Sequence, residues 1–212
     1  MHNKYVLHGG SLQNIAEACM HILCDTSSIL LLIRIAPDMF IDESYECCTI
    51  QSIRDEIFRT QKFKSKYPWR DKYKNKIKCL SHEVLQKAET QIYRDMITRL
   101  NELGTINTYT GKIFSLSNVD IQFLACALAH GFSITTGDQN IKDFAAQQFE
   151  EIFSGSVSSL GLVNIWIEKK LIHWNEELHT YLSDWYKKNE HPQPREQKRR
   201  FKRLTGRNYP GS

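Results

Sequence analysis

No apolar run in this chain is long enough to cross a bilayer. The longest aliphatic stretch, residues 29–33, is closed by Arg34, whereas a membrane-spanning helix needs about 20 apolar residues. The first residues show no basic segment followed by an apolar stretch and a small-residue cleavage site, so no secretory leader is expected. The six cysteines (Cys19, Cys24, Cys47, Cys48, Cys79 and Cys126) form no CxxC pair and have no zinc-type spacing with histidine. Reduced, buried thiols in a cytoplasmic protein are the expectation. The eight histidines show no HExxH grouping, and Gly9-Gly10 stands alone rather than in a phosphate-binding loop. Internal repeats are also absent.

What is present is a large charge asymmetry under a small net charge. The 212 residues carry +4 overall. Residues 59–78 hold nine Lys/Arg and one acid, or +8, and residues 187–212 hold nine Lys/Arg and two acids, or +7. Taking both from +4 leaves −11 for the remainder. An acidic body thus carries two basic blocks.

Hydrophobic patterning alternates between short strands and helices. A short helix is expected over residues 11–19 and an apolar strand over 20–24, ending on Asp25. Thr26, Ser27 and Ser28 can cap a helix that Pro37 stops. A second strand is expected near 45–48, followed by a helix capped by Thr49 with Ile50, Ile53, Ile57 and Phe58 along it. The first basic block interleaves charge with Phe63, Tyr67, Trp69 and Tyr73 and fits an extended arm as well as a helix. Ser81 opens a long helix to about 103, with Val84, Leu85, Ala88, Ile92, Met96, Leu100 and Leu103 as its apolar stripe. Ser117 caps a helix that Gly131 ends, residues 132–135 form a strand, and 141–150 a helix. Residues 162–167 look like a further strand and 174–187 like a last helix. Residues 187–212 read as a flexible basic tail. The alternation argues an α/β domain over residues 1–186 with a mainly parallel sheet.

In such sheets functional groups gather at the carboxyl ends of strands. Asp25 and Asp138 follow expected strands; Asp120 and Glu56 lie on the helices after Ser117 and Thr49. Each acid alone has a structural explanation as a cap, a turn residue or a solvated face. Four carboxylates converging on one cleft would repel one another unless cations neutralised them. Hard oxygen donors suit Mg²⁺ or Mn²⁺, which can activate water for phosphodiester displacement. Thr26, Ser27 and Thr136 stand beside these acids and can orient them.

Residues 22–27 (ILCDTS), 49–57 (TIQSIRDEI), 116–127 (LSNVDIQFLACA) and 134–145 (ITTGDQNIKDFA) resemble, in order and spacing, the acidic motifs of PIN-domain nucleases. The likeness covers roughly residues 20–150 and is nearest to the toxin branch of the family. It implies a PIN-like three-layer α/β/α fold with a central, mainly parallel sheet. It also implies that Asp25, Glu56, Asp120 and Asp138 are catalytic and bind Mg²⁺ or Mn²⁺. Asp55 competes with Glu56 for the second position. Asp143 is either a group behind the ligands or a helix-surface acid. The implied activity is cleavage of single-stranded RNA by a metal-activated water, in a homodimeric toxin silenced by a small antitoxin. The block at 59–78 is insertion-like relative to the family, and the tail has no counterpart in it.

Phosphates attract Lys/Arg, and aromatic rings stack on unpaired bases. Lys62, Lys64, Lys66, Trp69, Arg70, Lys72 and Lys74 in the first block, with Arg199, Arg200, Lys202 and Arg203 in the tail, are therefore candidate RNA contacts. The remaining alternatives are the same chemistry in RNA maturation or DNA processing, and a non-catalytic RNA- or protein-binding module.

Overall fold

Ile22, Leu23 and Cys24 form a short, fully buried strand, β1 (Ile22–Cys24). The chain then turns into helix α1 (Thr26–Leu32). The cap of α1 is Asp25, whose Oδ1 accepts from the Ser28 N–H at 2.7 Å, rather than one of the hydroxyls that follow it. The structure is a computed structural model, and it describes residues 21–190 and 193–210. The helix expected over 11–19, the start of the first strand at Met20, Cys19 and the Gly9-Gly10 pair lie outside the described residues.

Strand β2 (Cys47–Cys48) and strand β3 (Ser133–Thr135) flank β1 in the order β2-β1-β3, all parallel. Ile22 is level with Cys47 and with Ser133, and Cys24 with Thr135. A parallel bridge from Ile134 to Ser156 extends the sheet beyond β3. The molecule is thus mixed α/β with a small open parallel sheet. No helix among the described residues is long and apolar enough to cross a membrane.

After β2 comes α2 (Gln51–Arg59), whose N-cap is Ile50. Thr49 does not cap it; the Thr49 hydroxyl donates to the Cys24 carbonyl at 3.0 Å and ties β1 to the start of α2. The first basic block is not an extended arm. It forms α3 (Gln61–Lys66) and a 3-10 turn, Pro68–Tyr73. Phe63, Tyr67, Trp69 and Tyr73 pack ring to ring at 6.3, 5.7 and 5.8 Å along its inner side, which places most of the cations outward.

The long helix expected from 81 divides into α4 (His82–Leu85) and α5 (Ala88–Glu102), because Lys87 takes an extended backbone (ψ 142°) between them. The stripe on α5 is also rotated from the expected one. Thr90 and Ile97 are buried, with Tyr93 and Leu100 packed beside them, while Ile92 and Leu103 are 57% and 80% exposed. Helix α6 (Asn118–His130) lies against α5. It carries a full capping box at Ser117 and ends on Gly131 in the left-handed conformation (φ 64°), as its sequence predicts. Helix α7 (Gln139–Gln148) follows β3.

Residues 162–167 are not a strand. They belong to α8 (Ser159–Glu168), capped by the Ser158 hydroxyl accepting from the Gly161 N–H at 3.0 Å. Leu160, Leu162, Val163 and Trp166 are all buried because α8 packs against both α1 and a C-terminal helix. An apolar run of this length looks the same to a strand pattern. Helix α9 (Glu176–Lys187) follows.

The C-terminal segment also departs from the expected flexible tail. Residues Arg195–Thr205 form α10, whose Phe201 is fully buried against Trp174 and Tyr209 at ring distances of 5.4 and 6.1 Å. Asn164 Nδ2 donates to the Gln197 carbonyl and side chain at 2.9 and 3.0 Å. Glycine at 161 serves the start of α8 itself: a Cβ there would stand 3.0 Å from Val157 Cγ1 and 3.2 Å from the capping Ser158 Oγ.

Candidate functional site

Three helices begin at the carboxyl edge of the sheet, and each start holds one of the expected acids. Asp25 is the N-cap of α1 and Asp138 the N-cap of α7, where Oδ1 accepts from the Asn140 N–H at 2.7 Å. Asp120 is in the first turn of α6, with Oδ2 accepting from the Ser117 N–H at 2.8 Å. Capping accounts for each carboxylate locally. It does not account for their convergence on one cavity. The positive ends of the three helices offset part of the repulsion among these acids.

Glu56 completes the set from the middle of α2. Its Oε2 accepts a short hydrogen bond from the Thr26 hydroxyl. Asp25, Glu56, Asp120 and Asp138 line a single cavity of about 380 Å³, walled on its apolar side by Ile53, Phe63, Val119, Phe123 and Ile141. The rival Asp55 does not line it. Asp55 points elsewhere along α2, accepting from Gln51 Nε2 at 2.9 Å and pairing with Arg59 at 3.3 Å.

The hydroxyl neighbours are spent on the acids. Thr136 Oγ1 donates to Asp25 Oδ2 at 2.7 Å and accepts from the Asp138 N–H at 2.9 Å, so one side chain couples two of the four segments. Ser27 Oγ lies 3.0 and 2.9 Å from the two Asp25 oxygens and receives the Gly137 N–H at 3.4 Å. Burial pushes the Asp25 carboxyl above its ordinary value, against the opposing pull of the hydrogen bonds from Ser28, Thr136 and Ser27. Asp143 does not reach the cavity wall. It is buried on α7, where it accepts from Asn107 Nδ2 at 2.9 Å and Gln139 Nε2 at 2.6 Å and ties the 106–113 hairpin to the helix.

The donor chemistry fits a hard divalent cation. Asp25 is held by three donors, while Glu56, Asp120 and Asp138 each commit one oxygen to a protein donor and leave the other uncommitted among the described residues. As placed, no three His, Cys, Asp or Glu side chains among the described residues stand close enough together to hold an ion. The carboxylates share the cavity without closing on one point.

The candidate RNA contacts fall into two groups. Lys62, Lys64, Lys72, Lys74, Arg199, Lys202 and Arg203 are exposed. The rest are engaged to differing degrees. Arg70 is buried and donates to the Ile57 and Tyr67 carbonyls at 3.1 and 3.4 Å, which makes it a brace of the 3-10 turn. Arg200 pairs with Glu168, Lys66 pairs with Glu190, and Trp69 stands in the ring series. The apolar wall of the cavity was not foreseen as part of the site. Its members are helix-face positions that look like ordinary core.

Comparison of the chain with protein-family models, curated proteins and solved structures found no match.

Proposed function

We propose that this protein is a metal-dependent endoribonuclease with a PIN-like three-layer α/β/α architecture. The reading is carried by one observation: four carboxylates from four separate chain segments line one cavity at the carboxyl edge of a parallel sheet. Asp25, Glu56, Asp120 and Asp138 would hold Mg²⁺ or Mn²⁺. Such an ion, when bound, supplies charge neutralisation and lowers the pKa of water enough to provide a nucleophile near neutral pH.

The chain's own groups prepare the site. Thr136 fixes Asp25 and the backbone of Asp138 together, and Thr26 fixes Glu56 against the first turn of α1. Phe63, Val119 and Phe123 exclude water from one side of the cavity. Exposed cations of α3 and of the 3-10 turn that follows it draw a polyanion toward an acidic opening that would otherwise repel it. The reaction is hydrolysis of an RNA phosphodiester: water adds at phosphorus, the bond to the leaving ribose oxygen breaks, and that oxygen takes up a proton. A homodimeric toxin restrained by an antitoxin is the setting that the motif resemblance suggests.

Incubation with total RNA and Mn²⁺, followed by mapping of cut ends, tests this. Wild type should produce discrete cuts, and Asp25→Asn and Asp120→Asn should not. Equal cutting by the variants would end the proposal. A second reading, a non-catalytic RNA-binding module, is favoured by the fact that the carboxylates do not close on one point. It predicts no Mn²⁺ heat in calorimetry and RNA binding without cleavage.

A further inference from the structure

Helix α3 borders two cavities. Phe63 lines the acidic one, while Ser65 and Lys66 line a separate groove of about 680 Å³. The far wall of this groove is α9, and Trp69 and Arg34 contribute to its lining. Four cations face it (Arg34, Lys66, Lys187 and Lys188) against one carboxylate, Asp184. Lys66 is shared with Glu190, and Lys188 with Asp184 at 2.8 Å. Lys187 is exposed and has no ion-pair partner among the described residues.

Arg34 is the best-prepared group. Its guanidinium carbon lies 4.1 Å from the Tyr181 ring centroid and 5.1 Å from that of Trp69. Nη1 donates to Asp184 Oδ2 at 3.2 Å. Two ring contacts and one anchoring bond fix the guanidinium, while its remaining N–H donors have no partner among the described residues. A planar, pre-oriented fork of this kind matches a phosphate. Trp69 beside it supplies a stacking surface for a base.

The groove and the cavity are joined by the ring series. Phe63 is 6.3 Å from Tyr67, and Tyr67 is 5.7 Å from Trp69. Helix α3, with six residues, is about 9 Å long. A flexible strand can pass over so short a wall and offer unpaired bases to the rings beyond it; a duplex has neither the flexibility nor the free base faces.

We propose that this groove binds the backbone of single-stranded RNA on one side of the cut site, so that substrates are held across α3 by both the cavity and the groove. The continuation into the cavity rests on the nuclease reading above; the groove's binding of RNA does not. The test uses the full-length protein and fluorescence anisotropy with an oligouridylate of about 12 nucleotides at low salt in EDTA. The double variant Lys187→Glu/Thr180→Glu places two acids at exposed positions of the groove; Thr180 bonds only within its own helix, to the Glu176 carbonyl. Lys112→Glu, exposed on the hairpin and outside the groove, is the charge control. The double variant should bind about tenfold more weakly than wild type, and the control within about twofold. No binding by wild type, or a loss in the double variant no greater than in the control, overturns the assignment. Cleavage is scored separately in Mn²⁺. Groove-dependent binding without any cleavage removes the nuclease reading alone, and cleavage with groove-independent binding removes the groove alone.

Discussion

Asp25 shows how a side chain at the centre of the proposed site can be structurally costly. Burial raises its carboxyl above the ordinary range, so the folded protein favours the protonated form. The stability this group contributes is fully present below its unfolded value and is lost as pH rises through the folded one. At neutral pH the charged carboxylate is therefore a burden on the fold. Asp25→Asn keeps an acceptor for the Ser28 N–H and removes the charge. Its unfolding midpoint should equal or exceed that of wild type, by about 2–4 °C for each kcal/mol recovered, while RNA cleavage is lost. A fall in midpoint, read by calorimetry near pH 7, would contradict this account. Thr136→Val is the complementary test. It leaves the four acids in place but removes the hydroxyl that couples Asp25 to Asp138. Cleavage or Mn²⁺ affinity should drop roughly 10–100-fold. The acids and the hydroxyls beside them were legible because short motifs put them directly after strands or at helix starts. Glu56 is preferred to Asp55 on the alignment of the motif, and the packing of α2, where neighbours differ by about 100°, turns Glu56 and not Asp55 toward the cavity.

Elements were legible in proportion to their local signals. Helix α6 has a capping box at one end and a left-handed glycine at the other, and it formed where those residues put it. Helix α8 had an apolar run without polar alternation, and its helical state is decided by α1 and α10 on either side of it. Helix α10 was hidden by composition. Its six Lys/Arg suggest a solvated tail, yet a single aromatic, Phe201, provides the anchor. Phe201→Ala should cost about 3–5 kcal/mol through the cavity left between Trp174 and Tyr209, measured by urea denaturation. Wild-type stability in the variant would mean that α10 contributes little to the fold. Tyr209 gives the same contact a pH signature. Burial pushes its phenol up to about 12, so its stabilising contribution is intact below the ordinary value of about 10 and declines as pH rises toward 12. Burial also raises Tyr67 and Tyr45, so tyrosinate absorbance should show a late-titrating phase whose amplitude Tyr209→Phe lowers by one tyrosine.

At the scale of the whole molecule, +4 is a balance between surfaces of opposite sign. The sequence showed that asymmetry but not its arrangement. The acids sit at the sheet edge, and the cations of α3 border the same cavity through the helix that carries Phe63. The groove beyond α3 joins residues from α1's end, α3 and α9, a proximity that only the fold creates. An RNA strand approaching this face meets attraction around the rim and repulsion at the centre. Two charges about 10 Å apart in water interact by about 0.4 kcal/mol. Removing two carboxylates should therefore relieve about 0.8 kcal/mol, or roughly a fourfold gain in affinity. Asp120→Asn/Asp138→Asn is accordingly expected to bind single-stranded RNA more tightly than wild type in EDTA at low salt, and the gain should shrink as salt screens the cavity. Wild type alone should recover the difference when Mn²⁺ is added, because its carboxylates then have a cation to neutralise them. Equal affinity of the two proteins in EDTA would mean that RNA does not approach the acidic cavity, whatever the basic surfaces around it hold.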